Sequence, residues 1–279
     1  MPRLVDLFEQ RKVGATFLFS LGPDHTGRAV RRVFRTDFLS KVKRTSVLEH
    51  YGLKTLLYGT LLPGPDIGVR SAGQMRATRD AGFEVGIHCW DHVRWQDRVA
   101  GADAGWTTRE LERAFDRYED VFNEAAHAHG AAGWQTNRHA LRFLDQSGIA
   151  WASDTRGRTP FLPAWDGERF SCPQLPTTLP TIDEVWGLPD MDFTSHLMTI
   201  TERKTLHIYT AHAELEGGKL IGPFEKLLLG WQKQGYEIVS LGALARECEP
   251  GKLPVHEIAY GTVAGRSGTL ALQGKELTA

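Results

Sequence analysis

The chain has 279 residues, of which 41% are hydrophobic and 24% are charged, so its length and composition predict one globular domain with a large buried core. Its 33 basic residues balance 34 acidic residues, and this near-neutral charge excludes a general electrostatic attraction to nucleic acid. Three widely spaced cysteines fit neither a disulfide framework nor a zinc knuckle, and no run of about 18 apolar residues predicts a transmembrane helix. We therefore expect a protein of a reducing compartment that is soluble or peripheral to a membrane.

Apolar residues recur along the chain with the spacing of alternating helices and strands. After an amphipathic helical stripe near the start, the run "GATFLFSLG" at residues 14–22 predicts a buried strand. Helical periodicity around residues 107–125 and 138–147 leads to a strand at 148–154, and two further strands are predicted at 205–212 and 235–242. Strands separated by helices are typical of parallel βαβ units. We expect an α/β barrel, with an open α/β sandwich as the alternative.

The stretch "FEVGIHCWDHVRWQ", residues 83–96, places two histidines at the end of an apolar, strand-like segment. His88 and His92 are four residues apart, and two neutral imidazoles with this spacing on one helical turn converge on a single point. The carboxyl end of a strand is also where α/β folds place their active sites. The glutamate of the HExxH motif is missing, so the pair does not indicate a metalloprotease. Two interpretations remain: a two-nitrogen metal site, or a pair of hydrogen-bonded structural histidines.

A second polar group follows another predicted strand, in "LHIYTAHAELEGG". Thr210, His212, Glu214 and Glu216 alternate along the chain, so an extended backbone would project them on one side. His212 is a candidate for proton transfer near neutral pH, and the alternative is that this segment is a solvated turn.

A third group, in "ASDTRGRTPF", follows the strand predicted at residues 148–154. Asp154 and Arg156 are candidates for orienting a histidine and for binding an anion. The alternative is that Asp154 is a loop-capping residue.

Five stretches, taken in order, carry a resemblance to a known family: "IHCWDH", "AAGWQ", "SDTRG", "PQLPTTLPTIDE" and "YTAHAELEG". Together they resemble the polysaccharide deacetylase superfamily, the NodB-like carbohydrate esterases. "SLGPDHTGR" and "LPTTLPTIDEV" are most similar to its deformylase branch, which acts on undecaprenyl-phosphate-linked 4-deoxy-4-formamido-L-arabinose. The resemblance implies a distorted (β/α) barrel of the NodB type over residues 1–265, and we expect the glycine-rich residues 266–279 to form a C-terminal tail.

The same resemblance implies how the site is built. One divalent metal ion, zinc or manganese or cobalt, is expected with His88 and His92 as two of its three protein ligands. His212 is expected to be the general acid that protonates the departing sugar nitrogen, with Asp154 holding its imidazole charged and oriented. The side chains expected to contact the substrate are Trp134, Gln135, Arg156 and Glu214.

The implied reaction is hydrolysis of a formamide, which gives formate and the amino-arabinose lipid used to modify lipid A. This places the chain at the cytoplasmic face of the inner membrane. Two alternatives remain: a deacetylase of another N-acylated sugar, and a non-catalytic protein that binds a sugar-lipid.

Two departures from the family pattern bear on the site. The Asp-x-Asp strand that supplies the third metal ligand and the general base is not in the sequence, so we expect it upstream of Met1 and expect a barrel without its first strand. Asp24, Asp91 and Glu214 are candidate substitutes. Gln135 stands where the superfamily usually has an arginine, and an amide brings no charge.

The segment at residues 27–46 holds seven Arg or Lys against one Asp, with apolar residues between them. Such a segment can lie on an anionic bilayer, and Arg28, Arg31 or Arg156 would then contact the lipid phosphate. The alternative is a solvated helix whose apolar residues pack on the barrel.

Overall fold

A computed structural model describes residues 1–28, 57–185 and 192–278. The helices are α1 (Pro2–Arg11), α2 (Ile67–Arg70), α3 (Ala72–Asp80), α4 (His92–Arg98), α5 (Ala104–Phe122), α6 (Arg138–Gln146), α7 (Ile182–Val185), α8 (Phe193–Ile200), α9 (Ile221–Lys233) and α10 (Leu241–Glu247). In these parts of the chain, no helix is both long and apolar enough to cross a membrane.

The first sheet is parallel and carries the predicted site residues at one edge. Its strands are β1 (Thr16–Ser20), β2 (Glu84–Cys89), β3 (Ala128–His129) and β4 (Trp151–Ala152), in the spatial order β1-β2-β3-β4. Ile87 pairs with His129, and His129 pairs with Ala152. Because parallel strands end at the same edge, the segments that follow β2, β3 and β4 lie side by side.

The second sheet contains part of the segment predicted as a tail. Its strands are β5 (Leu162–Trp165), β6 (Glu168–Arg169), β7 (Val255–Gly261) and β8 (Leu270–Glu276), in the order β6-β5-β7-β8. β7 and β8 form an antiparallel hairpin, and the backbone of Arg156 joins β8 through hydrogen bonds with Ala271 and Gln273. Residues 270–276, which the sequence placed in a tail beginning at 266, pair with β7 and, at Ala271 and Gln273, with Arg156, so they lie in the second sheet.

The parallel α/β prediction is confirmed, but two of the predicted strands are not. Within the described residues, 205–212 and 235–242 belong to neither sheet. These segments make single backbone contacts instead of a ladder: Thr178 and Leu179 both donate to the carbonyl of Ile208, and Gly14 donates to that of Ile238. A segment is a β-strand only where successive residues form hydrogen bonds with a neighbouring strand, and these two segments lack such a series of bonds with the described residues.

The main core lies between the parallel sheet and the helices α1, α5 and α9. Phe17 of β1 contacts Phe8 of α1 and Phe83, with ring centroids 5.8 and 5.5 Å apart, and Phe8 also meets Phe224 of α9 at 6.0 Å. Burying each such ring stabilises the fold by about 1.5–3 kcal/mol, and Phe17→Ala would cost about 3–5 kcal/mol because a cavity adds to the lost transfer energy. This core holds β1 and β2, and so holds the strand end that carries His88.

Candidate active site

The two predicted metal-binding histidines lie together at the end of β2. The Nδ1 atom of His88 donates to the carbonyl of Gly130 at 2.6 Å, and the rings of His88 and His92 are 5.2 Å apart. Burial lowers the pKa of His88 to about 4, although the hydrogen bond to Gly130 opposes this shift. Since a carbonyl can only accept, His88 is a neutral imidazole with its hydrogen on Nδ1 and a lone pair on Nε2. That is the form that binds a metal ion.

The ligand set around this pair is incomplete in the described residues. Across 1–28, 57–185 and 192–278, no three His, Cys, Asp or Glu side chains are grouped to hold a metal ion. Asp91 instead caps α4 through the amide of Arg94 and pairs with Nδ1 of His25 at 2.5 Å. Asp24 accepts from Thr26. The described residues thus offer two imidazoles suited to a metal ion, and they do not complete a three-ligand site.

His212 approaches a carboxylate that the sequence did not assign to it. Its Nδ1 atom is 3.4 Å from Oδ1 of Asp183, and both side chains are partly exposed, at 29% and 27%. The backbone amide of His212 donates to Glu216 at 2.9 Å, and the hydroxyl of Tyr209 donates to the other oxygen of Glu216 at 2.6 Å. The edge of the ring meets Trp134 at 6.5 Å. The histidine is held by its backbone, and its side chain is partly exposed, although the Nδ1 atom beside Asp183 is buried and makes no hydrogen bond within the described part of the chain.

Asp183 is an ionised partner for this histidine. Burial by itself raises the pKa of Asp183, but the interactions with His212 and Arg266 and a hydrogen bond from Thr181 outweigh burial and leave the pKa below its usual value. Besides burial, the neighbouring His129 and His212 lower the pKa of His88, while Glu214 raises it. The histidines therefore share one electrostatic environment, and an ionised carboxylate lies at its His212 side.

Asp154 does not contact His212 as predicted. It is fully buried and accepts from Nδ1 of His129 at 2.8 Å, from the amide of Ala131 at 2.8 Å and from Gln174 at 3.3 Å. Both oxygens of its carboxylate are bonded to these buried partners, and none of them is His212. The sequence position at a strand end was informative, but the direction of the side chain was not predicted.

Arg156 is also placed differently from the prediction. Its guanidinium pairs with Glu184 and donates to the carbonyls of Thr177 and Leu179, and it is 8% exposed. The N–H groups of this guanidinium are bonded to other residues of the protein, so Arg156 is not placed to bind the substrate phosphate.

The two predicted substrate contacts of the "AAGWQ" stretch lie inside the protein. Trp134 is 5% exposed, and its indole donates to Thr177 at 3.1 Å. Gln135 is buried and donates to the carbonyl of Thr269 at 2.6 Å. Both side chains are therefore bonded inside the protein, and the Trp134 ring packs against that of His212. Glu214, by contrast, is exposed beside the site.

Sequence reasoning missed Asp183, Glu184 and Arg266. The stretch "PTIDEV" carried the two acids, but it was used only to recognise the family. Arg266 lay in the segment predicted as a tail. The glycines that flank it in "AGRSG" were a signal that the backbone turns tightly there.

Comparison with known proteins supports the family resemblance. A protein of Shewanella sediminis (strain HAW-EB3), described as a probable 4-deoxy-4-formamido-L-arabinose-phosphoundecaprenol deformylase ArnD, is 31% identical over 276 residues, which cover 98% of this chain and 89% of that protein. A protein of Wigglesworthia glossinidia brevipalpis with the same description is 29% identical over 280 residues, covering 99% and 97%. No model of a protein family matches the chain.

The fold is also shared with a solved structure. A polysaccharide deacetylase from Mycobacterium smegmatis superposes with a TM-score of 0.56 over 90% of this chain and 96% of that one, at 17% identity. This likeness confirms the predicted NodB-type fold.

Proposed function

The chain belongs to the family of 4-deoxy-4-formamido-L-arabinose-phosphoundecaprenol deformylases, ArnD, and we propose that it hydrolyses the formamide of undecaprenyl-phosphate-linked 4-deoxy-4-formamido-L-arabinose. The products are formate and the amino-arabinose lipid, which serves in the modification of lipid A. The observation that carries this proposal is the accessible His212, paired with Asp183 and within electrostatic range of His88.

The proposed role of His212 is to deliver a proton to the departing nitrogen. Water adds its oxygen to the formyl carbon and releases a proton to the solvent, the C–N bond breaks, the nitrogen takes a proton from His212 and leaves as an amine, and the carbon leaves as formate. The solvent then returns a proton to His212. Asp183 stabilises the protonated imidazole through its negative charge. Glu216 holds the backbone of His212 in place.

We further propose that one divalent metal ion, zinc or manganese or cobalt, binds at His88 and His92. The support is the lone pair on Nε2 of His88 and the short distance between the two rings. Bound there, such an ion would supply Lewis-acid chemistry that polarises the amide carbonyl.

Peripheral contact with an anionic membrane at the cytoplasmic face is part of the proposal. The predicted basic segment at 27–46, including Arg31, lies largely outside the described residues. Its described member, Arg28, is exposed and donates to the carbonyl of Gly59. Nearby, Leu61 is 81% exposed and Val69 is 67% exposed, and Arg70 follows them. Apolar side chains beside basic ones are suited to the interface of an anionic bilayer.

The experiment that tests this function measures formate released from a synthetic short-chain prenyl-phosphate ester of 4-deoxy-4-formamido-L-arabinose, with the N-acetyl sugar as a competing substrate. We expect turnover of the formyl compound that His212→Gln lowers by about 10²-fold or more, because general acid catalysis contributes about 10²–10⁴-fold. His207→Gln is the matched control, since His207 lies on the same segment and bonds to Arg203 away from Asp183. Faster release of acetate than of formate would identify a deacetylase instead.

The incomplete ligand set around His88 and His92 in the described residues favours one second candidate, a protein that binds the sugar-lipid without hydrolysing it. Saturable binding of the same compound with no formate release, with added zinc, manganese or cobalt, would support this candidate over the hydrolase.

A further inference from the structure

Arg266 binds the carboxylate of Asp183, which lies next to His212. Arg266 lies in the loop between β7 and β8. Its guanidinium makes a bidentate contact with Asp183, in which Nη1 is 2.9 Å from Oδ2 and Nη2 is 3.1 Å from Oδ1. A two-pronged arginine–carboxylate contact fixes the plane of the carboxylate as well as its position. The Oδ1 atom held in this way is the one that lies 3.4 Å from His212.

The guanidinium is itself fixed by its other neighbours. Its Nε donates to Glu184 at 2.8 Å and its Nη2 donates to the hydroxyl of Thr181 at 2.9 Å. The guanidinium carbon lies 4.8 Å from the centre of the Trp134 ring, a cation–π contact with a largely buried indole. Glu184 also pairs with the buried Arg156, so the network around Trp134 is neutral apart from His212. Arg266 therefore has little freedom, and neither has the carboxylate that it holds.

The backbone before Arg266 is shaped for this contact. Gly265 has φ +82°, and a Cβ at this position would lie 2.4 Å from the carbonyl oxygen and 2.9 Å from the Cα of Glu184. A residue with a side chain would therefore push the loop away from α7, which carries Asp183. Gly268 in the same loop also has a positive φ, +75°, but a Cβ there would meet nothing within 4 Å. The close approach is specific to Gly265.

We infer that Arg266 is a positioning residue for proton transfer, which orients Asp183 and through it the imidazole of His212. This inference rests on the proposed role of His212 as the proton donor. This inference gives a function to the loop at residues 262–269, which joins two strands of the second sheet. Through Arg266, this loop contacts Asp183 and so contributes to the site.

The test compares four variants of the full chain: Arg266→Gln, Arg266→Lys, Gly265→Ala and Gly268→Ala. Folding is checked by circular dichroism, kcat and KM are measured on the synthetic formamido sugar-lipid, and the tautomer of His212 is read by ¹⁵N NMR without substrate. We expect Arg266→Gln to lower kcat by about 10-fold or more at a nearly unchanged KM, because small misplacements of a catalytic group cost up to about 10²-fold. Arg266→Lys should lower kcat less than Arg266→Gln does, since a lysine keeps the positive charge but cannot make the bidentate contact. Gly265→Ala should lower kcat, and Gly268→Ala should leave it near that of the wild type.

The NMR measurement separates this inference from the proposed function. An acceptor-only carboxylate next to Nδ1 favours a hydrogen on Nδ1 of the neutral ring, and Arg266→Gln and Gly265→Ala should both weaken that preference. If the wild type released no formate but the tautomer shifted in this way, the positioning role would stand and the hydrolase proposal would fail. If Arg266→Gln and Gly265→Ala lowered thermal stability but left both kcat and the His212 spectrum unchanged, Arg266 would have a structural role only and the inference would be wrong.

Discussion

Replacing Asp154 by alanine removes a carboxylate from the interior of the parallel sheet. The structure gives this side chain a structural partner, His129, and separates it from the proton-transfer pair. Asp154→Ala is therefore expected to act mainly on stability, whereas a variant of Asp183 is expected to act mainly on turnover.

The size of the effect follows from what Asp154 leaves behind. Nδ1 of His129 and the amide of Ala131, both buried, lose their acceptor, and each unsatisfied buried donor costs about 1–3 kcal/mol. With two such donors, we expect Asp154→Ala to lose about 2–6 kcal/mol of unfolding free energy.

The pH dependence has a defined sign. Burial by itself raises the pKa of Asp154, but the interaction with His129 and the hydrogen bonds from Ala131 and Gln174 outweigh it, so the pKa in the folded state is lowered. A lowered pKa means that the ionised carboxylate stabilises the folded state above the unfolded value of about 3.9 and that this contribution is lost as the pH falls below it. Below about pH 4, the unfolding free energy of Asp154→Ala should therefore fall less steeply with decreasing pH than that of the wild type.

The assay is urea unfolding followed by tryptophan fluorescence. Asp145→Ala is the control, because Asp145 also accepts three hydrogen bonds, from the amide and hydroxyl of Ser171 and the amide of Cys172, but is exposed. Water can replace a partner there, so we expect a loss of only about 0.5–1.5 kcal/mol. If Asp154→Ala were no less stable than Asp145→Ala and yet lost turnover as fully as a variant of Asp183, the assignment of the two carboxylates would have to be reversed.

Three further outcomes are expected. Asp183→Asn should lower kcat for formate release by about 10²-fold and cost less unfolding free energy than Asp154→Ala, because the partly exposed amide keeps an oxygen that can accept from Thr181 or Arg266. His88→Ala should weaken zinc binding, measured by calorimetry, by more than the roughly 10–100-fold that loss of an outer partner costs, whereas His212→Ala should not; a loss of zinc in His212→Ala would show that the roles are misassigned. Leu61→Asp should reduce sedimentation with anionic phospholipid vesicles, and Leu206→Asp, a control at a 40% exposed leucine far from Leu61 in the sequence, should not.

The sequence was sufficient to predict two of the three strand ends that were expected to carry polar residues, those of β2 and β4, whereas the segment before His212 is not a strand. Short apolar runs predicted β1, β2 and β4, and parallel topology brings the ends of such strands to one edge. The structure does bring His88 within range of His212, although the two are far apart in the sequence. Local pattern and topology were enough for this level of the site.

The partners of these residues could not be predicted by the same reasoning. Asp154 and Asp183 both follow or open a regular element, and spacing alone does not tell which one faces a given histidine. A shift of one residue along a strand turns a side chain to the opposite face of the sheet. The contact of Arg266 with Asp183 depends on the path of a hairpin loop and on a glycine that lets two backbones approach. Such contacts depend on tertiary packing, which cannot be predicted from the spacing of apolar residues along the sequence.

The two carboxylates differ in exposure, and that difference separates their roles. Asp154 is fully buried, so a proton cannot pass from it to a substrate, but it bonds the amide of Ala131 and thereby fixes the loop whose Gly130 carbonyl holds Nδ1 of His88. Asp183 is partly exposed and stands beside an accessible imidazole, where the charge of that ring can change during a reaction. Each carboxylate therefore serves one histidine: the buried one sets a tautomer through the backbone, and the exposed one stabilises a charge directly. The sequence predicted Asp154 as the partner of His212, and in the structure Asp183 has this place, because Asp154 is buried and bonded to His129 and Ala131.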